Sequence, residues 1–188
     1  MKQVLVTYAS KHGATAQIAE TVAEKLREFD LAVDCVPVGE VSDLSPYVAV
    51  VLGSAVYFNH WRGRAVRFLD RHADELSQIP FWIFSSGPVG EDGSSSDQFE
   101  PRRAIDASER LRARGHVVFG GRVDAPAHGP LKRALVERIP KSYRDRRDWG
   151  EIRTWAAAIA HELGGGRAVV RSHSAERSDA RLDVRRGR

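Results

Sequence analysis

The segment Tyr8-Ala9-Ser10-Lys11-His12-Gly13-Ala14-Thr15 joins a strand-like run to a helix-like one, and the fold class can be inferred from this junction. Residues 2–8, which overlap its first position, form a short β-branched and aliphatic run, and this predicts a buried strand. After it, apolar residues recur at positions 18, 19, 22, 23, 26 and 29, which places them on one stripe of a helix. The chain therefore begins with a strand, a short loop and a helix.

The same loop has the composition of a phosphate-binding site. Free N–H groups in the first turn of a helix point at an anion placed there, and the helix dipole favours its charge. We predict phosphate contacts from Ser10, Lys11, His12, Gly13, Ala14 and Thr15, although a plain helix cap with a turn could use the same residue types. The Walker and G-x-G-x-x-G patterns are both absent, which disfavours ATPases and dinucleotide-binding enzymes.

Short apolar runs alternate with helix-periodic segments along the rest of the chain. We predict further strands at 31–38, 47–53, 80–85 and 116–120, and helices at 62–76, 102–114, 131–139 and 149–163. The run at 47–53 is apolar without alternation, as expected for a central strand covered on both faces. The pattern predicts an α/β three-layer sandwich with a five-stranded parallel sheet in the order 2-1-3-4-5.

Ligands of such sheets bind beyond the carboxyl ends of the strands, where the strand order reverses. The loops after the third and fourth strands should therefore lie beside the first loop. We expect the aromatic residues at 57, 58, 60 and 61 to be exposed there for stacking on a flat ligand, with Trp61 the best candidate to anchor the next helix instead. The candidate ligand-binding residues of these two loops are Ala55, Val56, Tyr57, Phe58, Ser85, Ser86, Gly87, Pro88 and Gly90.

The composition is that of an ordinary globular domain, with 42% hydrophobic and 29% charged residues among 188. The sequence shows no signal peptide and no apolar stretch long enough to span a membrane, so we expect a cytoplasmic protein. We expect one domain at 1–163 and a disordered tail at 164–188. Seven arginines and three acidic residues in that tail account for the whole net charge of +4, and we expect no nucleic-acid binding, although such tails can contact phosphates.

The single cysteine, Cys35, restricts the redox and metal chemistry of the chain. One cysteine can form neither an intramolecular disulfide nor a thiolate metal cluster, and we predict no metal site. Cys35 lies in the apolar context Ala32-Val33-Asp34-Cys35-Val36, which favours a buried small hydrophobe over a nucleophile.

At its three loops the sequence resembles the flavodoxin family. The first loop fits the pattern Y-x-S-x-x-G-x-T through Tyr8, Ser10, Gly13 and Thr15, with His12 where many flavodoxins have threonine. The chain is most similar to the branch that includes menaquinone-dependent protoporphyrinogen oxidase, through segments 53–57, 67–72, 84–87, 120–124 and 148–149. The resemblance covers residues 2–163 and implies a flavodoxin-like fold that binds FMN. It implies that the first loop binds the FMN phosphate and that the other two flank the isoalloxazine ring.

The resemblance also implies a function, an FMN oxidoreductase that oxidises protoporphyrinogen in heme biosynthesis with a quinone or another acceptor. We name no catalytic acid or base, because the flavin carries this chemistry. The alternative is a non-enzymatic electron carrier with a protein redox partner, but such flavodoxins are typically acidic and residues 1–163 are formally neutral. The basic residues between 132 and 147 could suit a carboxylated substrate such as a porphyrin or an anionic membrane surface, or they could simply form a solvated helix and loop. The oligomeric state stays open.

One further class that shares this fold is excluded by its chemistry. Phosphorylated receiver domains need carboxylates at the ends of strands one and three to hold Mg²⁺ and accept the phosphoryl group. This chain has Thr7-Tyr8-Ala9 and Leu52-Gly53-Ser54 at those two places, with no acidic residue in either.

Overall fold

The computed structural model describes residues 3–57, 60–87, 101–122 and 145–164. These residues form six strands, β1 Gln3–Ala9, β2 Ala32–Pro37, β3 Ala49–Tyr57, β4 His60–Trp61, β5 Phe81–Gly87 and β6 Gly115–Gly120. They also form five helices, α1 Ala14–Arg27, α2 Gly63–Arg71, α3 Ala73–Leu76, α4 Arg102–Arg110 and α5 Trp149–Glu162.

Five of the strands form a parallel sheet in the order β2-β1-β3-β5-β6. This is the predicted order 2-1-3-4-5, because β4 is a two-residue strand that pairs antiparallel with the end of β3 and stands outside the main order. The order reverses between β1 and β3, so these two neighbouring strands have their crossovers on opposite sides of the sheet. A crevice at their carboxyl ends is the expected ligand position for such a topology.

Two apolar layers, one on each face of the sheet, form the core. The first lies between the sheet and helices α1 and α5, and it includes an aromatic cluster of Phe84, Phe119 and Trp155 with ring centroids 5.6–6.1 Å apart. The second lies between the sheet and helices α2, α3 and α4. Gly53 in β3 is required by the first layer, since a Cβ there would lie 2.0 Å from Cζ of Phe84. The three-layer α/β sandwich is therefore confirmed.

Some element boundaries differ from the prediction. Strand β3 continues to Tyr57 rather than ending at Gly53, because residues 56 and 57 pair with 61 and 60 in a tight hairpin. The helix predicted at 62–76 divides at His72, whose φ of −108° and ψ of 22° leave the helical region. The helix predicted at 102–114 ends at Arg110, and Arg112 follows with a left-handed φ of 53°. The helix predicted at 131–139 and the tail at 164–188, apart from Gly164, lie outside the described residues.

Candidate functional site

The first loop connects β1 to α1 and has a distinct backbone geometry. Gly13 is the N-cap residue of α1 and adopts a left-handed conformation with φ of +87°. Its N–H donates to Oγ of Ser10 at 3.0 Å, which folds the loop back on itself. Because Ser10 accepts through its oxygen, its own hydroxyl proton stays available as a donor to a ligand. A non-glycine residue would be strained at position 13.

The start of helix α1 has backbone N–H groups that no side chain caps. The first turn of this helix contains no acidic residue. The N–H of Gln17 bonds to the carbonyl of Gly13, so the amides of residues 14–16 precede the first intrahelical bond. An anionic group placed here would accept hydrogen bonds from those amides and would be stabilised by the positive end of the helix dipole.

The residues of the first loop differ in exposure. Thr15 is buried with 1% of its surface exposed, whereas Lys11 and His12 are exposed. Ser10, Gly13 and Ala14 are half-buried. The structure therefore brings the six predicted phosphate-binding residues together at one end of α1, with Lys11 and His12 outermost.

Of the candidates from the end of β3 that the structure describes, only Tyr57 presents its side chain to solvent. Tyr57 is 37% exposed, while Ala55 and Val56 are buried in the last part of β3. The Tyr57 ring lies beside the first loop, with the ring centroid of His12 at 6.5 Å and Nζ of Lys11 at 5.8 Å. Cζ of Arg62 lies 5.7 Å from the same centroid. Phe58 lies outside the described residues.

Trp61 is a buried anchor and does not belong to an exposed loop tip. It is 5% exposed and packs in the second core layer, which includes Phe68 and Leu69 of α2. Its Nε1 donates to Oγ of Ser85 at 2.9 Å. The expectation that it anchors the next helix is confirmed, and the expectation of exposure is wrong for this residue because the hairpin turns its ring inward.

Three of the five candidates from the predicted loop after the fourth strand lie within β5 itself. Ser85, Ser86 and Gly87 are all buried. Oγ of Ser85 accepts from Trp61 and lies 3.0 Å from Nε2 of His116, so this side chain joins β4, β5 and β6. By strand alternation Ser86 faces the opposite layer. Pro88 and Gly90 lie outside the described residues, and a cofactor contact from this segment stays a prediction.

A further cluster at the first turn of α1 was not predicted from the sequence. Oε1 of Gln17 accepts from Nη1 of Arg147 at 2.6 Å and from Nη1 of Arg122 at 3.2 Å. Arg147 also donates to both carboxylate oxygens of Asp145, and these hydrogen bonds lower the pKa of Asp145. Its guanidinium lies over the Trp149 ring, 4.5 Å from the centroid. No local signal connects these residues, because Gln17 and Arg147 are 130 positions apart.

The remaining chemistry of the described residues is limited. Burial raises the pKa of the Cys35 thiol to about 11, which keeps it neutral at physiological pH. Among the residues with described positions, no group of three or more His, Cys, Asp or Glu side chains could hold a metal ion. None of the helices in the same residues is long and apolar enough to cross a membrane.

The fold and this site together define a flavodoxin-like α/β protein, with an uncapped helix start at the reversal point of a parallel sheet. The sequence matches the Flavodoxin domain over residues 5–149, and the chain belongs to that family. The family is one of flavin-binding domains, which agrees with the resemblance seen in the first loop.

Curated relatives and solved structures support the same assignment. The chain is 22% identical to protoporphyrinogen IX dehydrogenase (quinone) of Escherichia coli K12, over 85% of this chain and 95% of the relative. It is 23% identical to the protein of the same description from Leishmania major, over 83% of this chain and 74% of that relative. A flavodoxin structure from Streptococcus pneumoniae TIGR4 superposes with a TM-score of 0.57 at 18% identity, covering 86% of this chain and 97% of that one, which shows the fold.

Proposed function

We propose that this chain is an FMN-dependent oxidoreductase that converts protoporphyrinogen IX to protoporphyrin IX, with a quinone as electron acceptor. The observation that carries the flavin part is the uncapped start of α1 behind the left-handed Gly13, with the exposed Tyr57 ring beside it. The substrate part is supported by the relatives in Escherichia coli and Leishmania major, which carry that description and align over most of this chain.

Different residues of the site would bind different parts of FMN. The amides of residues 14–16, the Ser10 hydroxyl and the Thr15 hydroxyl would hold the phosphate group. Tyr57 offers its ring as a stacking surface for the isoalloxazine. When bound, FMN supplies two-electron oxidation chemistry, and in the balanced reaction three quinones take up the six electrons and six protons that protoporphyrinogen loses.

No described side chain is assigned as a catalytic acid or base. The contribution of the protein is therefore binding, orientation and tuning of the cofactor. We expect the protein to work in the cytoplasm. Because membrane quinones are dissolved in the lipid, we expect at most peripheral contact with the membrane to reach them.

Flavin binding is tested first, by the visible absorption spectrum of the purified protein titrated with FMN and, separately, with riboflavin. Riboflavin lacks the phosphate, so we expect it to bind at least about tenfold more weakly than FMN. The variant Thr15→Val keeps the shape of the side chain and removes its hydroxyl, and we expect it to weaken FMN about tenfold without changing riboflavin affinity. Thr154→Val on α5, an exposed position, is the matched control.

The second test separates an enzyme from the alternative, a non-enzymatic electron carrier. Protoporphyrin fluorescence is followed while the FMN-loaded protein is mixed anaerobically with protoporphyrinogen IX and a soluble quinone. Multiple turnovers that need both the protein and the quinone support the enzyme. Flavin binding without turnover, combined with rapid electron exchange with a redox protein, would favour the carrier.

A further inference from the structure

Two cationic side chains flank the exposed Tyr57 ring, and a third lies at the start of the helix that follows. Nζ of Lys11 and Cζ of Arg62 lie 5.8 and 5.7 Å from its centroid. Arg67, one turn into α2, folds back over the helix start, since its Nη1 would lie 3.5 Å from a Cβ placed at Gly63. We call Tyr57, Lys11, Arg62 and Arg67 the Tyr57 rim.

The cations of this rim have no acidic partner among the residues that the structure describes. Elsewhere exposed arginines do pair, as Arg110 does with Asp70 and Arg153 with Glu28. In addition, α2 begins at Gly63 with no acidic residue in its first turn. Several positive charges held close together without counter-charges repel one another, so this surface favours an anionic ligand.

The FMN phosphate alone does not account for this charge. A phosphate at the start of α1 is served by the helix amides, and Lys11 belongs to the same loop. Arg62 and Arg67 belong instead to the segment after the β3–β4 hairpin, where the backbone N–H of Arg62 is fixed to Oγ of Ser54 at 3.0 Å. Their charge therefore lies on the Tyr57 side of the site, where a substrate would approach the flavin ring.

We propose that the Tyr57 rim binds the carboxylates of the substrate, with Arg62 as its main contact. This inference rests on the proposed function and adds the recognition of the substrate to it. Protoporphyrinogen IX carries two propionate groups on an otherwise apolar ring system. A guanidinium can bind a carboxylate through two parallel hydrogen bonds, and a mobile lysine such as Lys11 supplies a second point charge.

The test measures direct binding as well as turnover. The probe is protoporphyrin IX, the stable oxidised product, and its dimethyl ester, which has the same ring and no charge, each bound to the FMN-loaded protein and followed by porphyrin fluorescence. The variant Arg62→Gln removes the charge and keeps the backbone N–H that bonds to Ser54. Arg71→Gln, an exposed arginine about 13 Å further along the same helix, is the control for net charge.

We expect Arg62→Gln to weaken binding of the free acid about tenfold and to leave the ester within about twofold. Arg71→Gln should change neither by more than about twofold. The KM for protoporphyrinogen IX should rise with the same pattern while kcat changes little. Added salt should weaken the free acid and not the ester.

Other outcomes overturn the inference and separate it from the proposed function. An equal loss of free-acid and ester binding would assign Arg62 to packing, and a parallel loss of FMN affinity would assign it to the phosphate. Turnover of protoporphyrinogen with no effect of Arg62→Gln would support the proposed function and exclude carboxylate binding by the Tyr57 rim. Charge-dependent porphyrin binding without any turnover would support carboxylate binding by the Tyr57 rim and exclude the proposed reaction.

Discussion

Gly13→Ala tests whether the conformation of the first loop is what the cofactor needs. Gly13 has a φ of +87°, and a Cβ added there would meet nothing within 4 Å. The substitution therefore creates no clash, and its cost is the left-handed backbone alone, about 1–2 kcal/mol. Gly39→Ala is the matched control, because a Cβ there is also free of contacts and the φ of Gly39 is not positive. Both variants lose the same unfolded-state flexibility, so the difference between them isolates the backbone cost.

The assay is urea unfolding of each variant with and without saturating FMN, together with FMN titration. If the loop keeps its conformation without FMN, the unfolding free energy of the free protein falls by about 1–2 kcal/mol relative to Gly39→Ala, and FMN affinity is unchanged. If the loop relaxes in the free protein, the strain at position 13 arises only on binding, and FMN affinity falls roughly 5- to 30-fold. In either case the FMN-bound Gly13→Ala protein is destabilised by about 1–2 kcal/mol relative to FMN-bound Gly39→Ala. Equal stability of the two bound proteins would show that the cofactor does not need the left-handed conformation.

Two further predictions concern the buried Ser85 hydroxyl and the half-buried Cys35 thiol. Ser85→Ala leaves Nε1 of the buried Trp61 without its acceptor, so we expect the free energy of unfolding in urea to fall by about 1–3 kcal/mol. The exposed Ser77→Ala should change it very little, and equal effects of the two variants would contradict the role given to Ser85. Cys35, with a pKa raised to about 11 by burial, should react with a thiol reagent at pH 8 much more slowly in the native protein than in urea, and rapid native labelling would show that the thiol is accessible.

The sequence predicted those parts of the fold that depend on one element at a time. Helical spacing and unbroken apolar runs indicate which faces of a single helix or strand are buried. The five parallel strands and their order could therefore be inferred from the hydrophobic pattern of residues 1–163. The strand–loop–helix arrangement of the first loop was predictable for the same reason, because Ser10, Gly13 and α1 are adjacent in the chain and their contacts are local. Contacts between distant segments had no such signal. Gln17 and Arg147 meet only after the sheet has brought the end of β6 beside α1.

The region after β3 was harder to predict from the sequence than the first loop. Small and aromatic residues after an apolar run are typical of a ligand loop, yet the same residues can extend the strand when a hairpin supplies pairing partners, as it does for Val56 and Tyr57. The hairpin then decides which aromatic faces the solvent. Trp61 turns inward because Ser85 offers a buried acceptor, and Tyr57 is left at the surface beside Lys11 and Arg62. The exposure of Tyr57 and the position of Arg62 beside it thus follow from the direction of one hairpin. A change that turns the hairpin over would move the stacking surface and the Arg62 guanidinium together, while Lys11 would stay in the first loop.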